Sequence, residues 1–212
     1  MRETDPVPPV DETNDPERSI REAWARSDFE QAATLLMQCY GPEVQGFLVA
    51  FMNDRAAARE AFSLFARDLW VALPNFAWRC TARGWAYTLA RNAARRHAKS
   101  EKRRRARHVP MPEGLLSEVA VQTRTRTDAF LKTEVKTRMQ ELRQRLPAED
   151  QQILILRVSR QLSWTEIAMV LRDDGLSATD RELEREATRL RKRFQLAKDR
   201  LRELARQEGL TE

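Results

Sequence analysis

At 212 residues the chain has room for one domain or two small ones, and 6 Gly with 7% aromatics favour helix over sheet, so the fold is predicted to be all-α. Two Cys and two His, without ligand spacing, exclude a tetrahedral zinc site and a short-range disulfide; no cofactor or metal is implied. The net charge of +6 is segregated: residues 19–109 hold sixteen bases and eight acids, net +8, whereas residues 146–212 hold thirteen of each.

Residues 1–14 are rich in Pro and acid and poor in large apolar side chains, so they are predicted to form a disordered acidic tail. They lack a basic start followed by an apolar core, and no apolar run approaches a membrane span, so the expected location is cytoplasmic, with no membrane insertion. Asp15-Pro16 reads as an N-cap followed by Pro at the first helical position. Three apolar stripes with helical spacing follow: Phe29 to Tyr40, then Val44 to Phe51 after a break at Gly41-Pro42, then Ala58 to Leu69. Pro74 ends the third, and the loop NFAWRCTAR leads to a fourth helix beginning near Arg83. That helix contains WAYTLARNAARRHAKSEKRRRARH, residues 85–108, with nine Lys or Arg and one acid. Residues 15–108 are therefore expected to form a helical bundle, and residues 109–127, with Pro110, Pro112 and Gly114, a flexible linker.

The second helical group is expected over residues 128–212. It begins with a helix at 128–145, followed by a short helix from Pro147 whose Ile153-Leu154-Ile155-Leu156 is buried on more than one side. Ser163 and Glu166 form a capping box that opens the helix WTEIAMVL, and Thr179 and Glu182 form a second. The last helix, from near Asp180, is expected to be one rod of about 26 residues, because Leu183, Ala187, Leu190, Phe194, Ala197, Leu201 and Leu204 keep a regular spacing of four and three.

A short helix, a turn and a longer basic helix is the layout of a helix-turn-helix. A solvated amphipathic helix with bases near its C-terminus explains that pattern equally well. In the first half, aromatics near the basic run could stack on unpaired bases. Trp85, one turn from Leu89, fits a core position better, while Trp78, in a loop with Arg79 and Arg83, is the better stacking candidate. No nucleophile, base and orienter can be assembled, nor a Gly-rich phosphate loop, so the chain is not read as an enzyme.

AREAFSLFARDLW (58–70), LPNF and GWAYTLARNAARRHAK (84–99) together resemble the second conserved region of bacterial RNA polymerase sigma factors of the extracytoplasmic-function group. LPAEDQQILILRVSRQLSWTEIAMVL (146–171) with RLRKRFQLAKDRLREL (189–204) resembles their fourth region. The resemblance implies a non-enzymatic subunit that binds core RNA polymerase and promoter DNA and directs initiation; an anti-sigma partner is left open. It puts polymerase contacts on Arg59, Ser63, Arg67 and Trp70. Minus-ten recognition falls on Asn75, Phe76, Trp78, Arg79 and Arg83, with duplex tracking on Arg91, Asn92, Arg95, Arg96 and Lys99. Minus-thirty-five recognition falls on Thr188, Arg189, Arg191, Lys192 and Arg193. Three departures stand out: Arg59 and Ser63 where the family has acid and Gln, Arg96 where it has Asp, and about a dozen extra residues around DDGLSATDRELE. The alternative is a stand-alone helix-turn-helix regulator whose N-terminal bundle serves dimerisation.

Overall fold

The computed structural model describes residues 15–107 and 141–209, and these contain helices and turns without strands. The expected tail at 1–14, the linker at 109–127 and most of the helix at 128–145 lie outside the described residues, apart from a helical end at 141–144.

Helix α1, Pro16–Ala25, starts as its sequence dictates: the Asp15 carboxylate accepts from the Glu17 amide at 3.1 Å, and Pro16 occupies a position whose N–H has no helical partner. Helix α2, Phe29–Met52, corrects the expected break at Gly41-Pro42, because it runs unbroken through both residues. Pro42 is exposed while Tyr40, Gly41 and Val44 are buried, so the carbonyl that Pro42 cannot satisfy faces water, and burial of the opposite face keeps the helix intact. Asn53, left-handed at φ 51°, ends α2. Asp54 then caps α3, Arg55–Ala72, accepting from the amides of Ala56 at 2.8 Å and Ala57 at 3.1 Å.

After one tight turn, Leu73–Asn75, and a loop, α4 spans Ala82–Arg107. Phe47, Phe65, Leu36, Leu48 and Tyr87 are fully buried among α2, α3 and α4, with the Phe47 and Tyr87 rings edge to face at 5.2 Å.

Helix α5, Ala148–Leu154, continues into a wider π turn, Ile155–Ser159, in which the Arg160 amide bonds five residues back to Ile155. All four residues of the expected apolar run are buried. The Ser163–Glu166 capping box opens α6, Trp164–Leu171, and the Thr179–Glu182 box opens α7, Asp180–Gln207, an unbroken rod of 28 residues. Its stripe from Leu183 to Ala197 packs on α5 and α6.

The two groups touch along α4 and α6. Gly84 permits this approach: a Cβ there would lie 3.0 Å from the Met169 Cε and 3.3 Å from the Glu166 Cγ. Buried side chains of α1–α4 and of α5–α7 consequently form one continuous apolar cluster. Among the described residues no helix is long and apolar enough to cross a membrane.

Candidate nucleic-acid interface

The N-terminus of α4 is built by residues distant in sequence. Glu17 of α1 reaches across, accepting from the amides of Ala82 at 2.7 Å and Arg83 at 2.9 Å, and from the Tyr40 hydroxyl at 2.9 Å. The Thr81 hydroxyl accepts from the Gly84 amide and donates to Glu166 at 2.8 Å. The capping role of Glu17 left no mark in the sequence near Ala82, since its signal lies more than sixty positions upstream.

In the loop before α4, Asn75 and Arg79 are exposed. Phe76, expected among the minus-ten contacts, is buried with its ring stacked on Trp85 at 4.4 Å, because two flat apolar faces there leave water together. Trp85 is core, as its spacing predicted. Trp78 is half-buried, held between the edge of Trp24 at 5.9 Å, Phe76 at 4.6 Å and the Arg21 guanidinium 4.6 Å above its ring. It sits at φ 54°, a left-handed conformation strained for a bulky side chain, and its buried indole N–H has no partner. An aromatic ring held in a strained loop with an unspent donor is suited to exchange its neighbours for another flat ring. Beside it, burial pushes the Cys80 thiol up to about 12, which keeps it protonated and unreactive.

Arg83 faces inward, with Nε and Nη2 bonding Glu43 at 3.1 and 2.7 Å and Nη2 also donating to the Arg160 carbonyl. Along α4, Arg91, Asn92, Arg95, Arg96 and Lys99 extend from the loop in a line, becoming more exposed toward Lys99. Arg96 pairs with Asp68 of α3, an acid supplied from the neighbouring helix. Arg91 and Arg95 both face Asp173, which lies in the turn between α6 and α7. The Arg91 side chain is only 11% exposed, and burial shifts its guanidinium pKa down.

On α3, Arg59, Ser63, Arg67 and Trp70 share an outward face, and Trp70 is 54% exposed. The Ser63 hydroxyl donates to the Arg59 carbonyl. With Val71, 68% exposed, Trp70 leaves apolar surface open to water at the end of a charged helix.

Thr188, Arg191 and Lys192 of α7 are exposed. Neither Arg191 nor Lys192 pairs with an acid among the described residues. Arg189 and Arg193 are occupied: Arg189 bonds Glu186 and Glu149, and Arg193 bonds Glu149 and the fully buried Asp150 at 2.6 Å. The bonds to Glu186 and Glu149 raise the Arg189 pKa further. Sequence reading missed this tie, because Glu149 and Asp150 lie about forty residues upstream and look like ordinary first-turn acids.

Residues 36–104 match the model of sigma-70 region 2, spanning α2 from Leu36, all of α3, the 75–83 loop and α4 as far as Arg104. The segment 36–104 is thus similar to a sigma-70 region 2. Its fold is similar to that of the sigma factor RpoE from Bartonella quintana, solved in complex with the anti-sigma factor NepR, with a TM-score of 0.55 and 16% identity over 84% of this chain and 97% of that one. At that identity the likeness is one of fold. No curated protein matches the chain. Most of the basic run, as far as Arg104, thus lies within the matched segment, on its last helix, and the extra residues between α6 and α7 lie beyond it.

Proposed function

We propose that the chain is a sigma factor of the extracytoplasmic-function group, a cytoplasmic, non-enzymatic subunit that docks on core RNA polymerase and directs it to promoters. The observation that carries this reading is the coincidence, within region 2, of the exposed α3 face around Trp70 with the cationic line from Arg91 to Lys99. One face suits the polymerase clamp and the other suits phosphates.

In this reading the 75–83 loop recognises the minus-ten element, and Trp78 stacks on a base once the duplex opens. Arg91, Asn92, Arg95, Arg96 and Lys99 track the backbone; such contacts fix position and carry little base information. On α7, Thr188, Arg191 and Lys192 approach the minus-thirty-five element, with Arg189 and Arg193 joining when phosphate or guanine displaces Glu149. The unit 15–108 and the unit 128–212 then act as two promoter-reading domains. The fold likeness to a sigma factor solved with an anti-sigma factor supports an anti-sigma partner for this chain too.

Reconstitution with core RNA polymerase tests the proposal. The chain should co-elute with core enzyme and initiate at specific promoters, while binding promoter duplex weakly alone. Tight, site-specific binding by the chain alone, with no association with core enzyme, would overturn the proposal in favour of a stand-alone helix-turn-helix regulator.

A further inference from the structure

The turn joining α6 to α7, residues 172–179, is longer than a helix-turn-helix requires and, though largely exposed, bonds to region 2 along one side. Its path follows from close packing. Gly175 presses onto the C-terminal end of α6 so tightly that a Cβ would fall 1.8 Å from the Met169 carbonyl oxygen, and the Ser177 and Ala178 amides bond back to the Asp174 carbonyl at 2.9 Å. So folded, the turn offers region 2 two kinds of acceptor. The carbonyls of Leu176 and Ala178 receive Arg79 from the minus-ten loop, at 3.4 and 2.8 Å. The Asp173 carboxylate receives Arg95 through both guanidinium nitrogens, one at 3.0 Å, with the Arg91 Nη1 at 3.6 Å.

We propose that this turn is an intramolecular clasp, in which Asp173 takes the place of a backbone phosphate between Arg91 and Arg95 and the Leu176–Ala178 carbonyls hold Arg79, so that the free chain masks its own promoter-contacting face. The inference rests on the sigma-factor reading for the identity of what is masked. A carboxylate bridging two arginines has the charge and oxygen geometry of a phosphate contact. Three residues assigned to DNA, on two segments of region 2, meet the same short turn.

The clasp is also built to release. With the turn in place Arg91 is largely buried and its Nε and Nη1 have no hydrogen-bond partners, an arrangement that a phosphate's oxygens would improve. Asp173 itself stays 70% exposed, where an ion pair is weak and sensitive to salt. Beside the turn a half-open pocket of about 280 Å³ lies between Phe76, Trp85 and Leu89 on one side and Met169, Leu176 and Leu183 on the other.

The test uses the full chain in three variants: Asp173→Asn, Asp174→Asn and Gly175→Ala. The Asp174 side chain bonds only Arg172 of its own turn, so its substitution changes net charge equally without touching region 2. Binding to a fluorescent random-sequence duplex is read by anisotropy at low salt without polymerase, and opening is read by hydrogen exchange in α6 and in the first turns of α4. Asp173→Asn should tighten binding by up to about fivefold and speed exchange, the scale set by an exposed ion pair. Asp174→Asn should do markedly less. Gly175→Ala adds no charge, so a gain in DNA binding from it reports displacement of the turn alone; circular dichroism verifies that the helices persist. Equal effects of the two Asn variants, or unchanged exchange in Asp173→Asn, would overturn the clasp. Failure of the chain to join core polymerase would remove the sigma-factor reading while leaving the exchange and anisotropy results to decide the clasp.

Discussion

Helices α4 and α7 are similar in length, 26 and 28 residues, and both carry a dense row of Arg and Lys, yet they neutralise it in different ways. Of the bases of α7, Arg189, Arg202 and Arg206 are answered locally, each by an acid three residues upstream, while Arg193 and Arg200 are held by Glu149 and Asp150 of α5. Those of α4 are answered from a distance, by Asp68 of α3 and by Asp173 in the turn before α7, with Arg104–Glu101 the one pair inside the helix among its described side chains. A locally answered charge stabilises its own helix and changes little when neighbours move. One answered from afar can be exchanged for another anion when the distant element moves away. Two helices with ten Arg and Lys each, but one acid in α4 against six in α7, therefore hold their charge differently.

The strongest way to break the comparison is to remove the buried acid beneath α7. Asp150 is fully buried and holds Arg193 and Arg200 at 2.6 and 2.9 Å. Asp150→Ala should cost about 2–3 kcal/mol, somewhat below the loss for a fully buried pair because both arginines retain access to water. Urea unfolding followed by circular dichroism measures it. A loss well under 1 kcal/mol would mean that α7 does not depend on its anchoring acids.

On α4 the matching change should act on DNA more than on stability. Replacing Arg95, Arg96 and Lys99 together by Gln should weaken promoter binding by the polymerase complex nearly uniformly across promoter variants. The salt dependence, log K against log salt, should become shallower by up to about 2.7, the value for three lost phosphate contacts. Arg95 and Arg96 must first leave Asp173 and Asp68, so the measured change should fall short of that limit. Selective loss at particular minus-ten sequences would show that these residues read bases.

The two helix starts sharpen the contrast at smaller scale. Thr179 caps α7 from the adjacent position, and Thr179→Ala should cost about 1 kcal/mol, confined to the α7 end. Glu17 caps α4 from another helix, so Glu17→Ala should cost slightly more, about 1–2 kcal/mol, because it also leaves the Tyr40 hydroxyl and two amides without their acceptor. Hydrogen exchange separates the two: the Glu17 variant should loosen α1 and α4 together. The smallest effect is expected from Glu182→Gln with Glu184→Gln, which should leave minus-thirty-five preference unchanged, since carboxylates near phosphates are repelled. A shift in preferred bases there, with none on Arg191→Ala or Lys192→Ala, would put the reading head in the acidic turns.

Local features were legible before any coordinate. Asp15-Pro16, both capping boxes, the single rod of α7, the burial of Ile153–Leu156 and the core position of Trp85 follow from residue type and spacing, because caps and helical stripes act over three or four residues. So does the place where positive charge accumulates. The continuity of α2 through Pro42 was not legible, since a proline normally ends a helix and only the burial of the opposite face overrides it. Nor were the cap that Glu17 places on α4, the stacking of Phe76 on Trp85, and the meeting of Asp173 with Arg91 and Arg95 seventy-eight and more residues away. Each joins groups whose separation along the chain holds no information about their separation in space. Charge, caps and periodicity belong to the sequence; which acid answers which arginine was decided by packing, because an ion pair needs about 4 Å between its charges and only the folded helices set that distance.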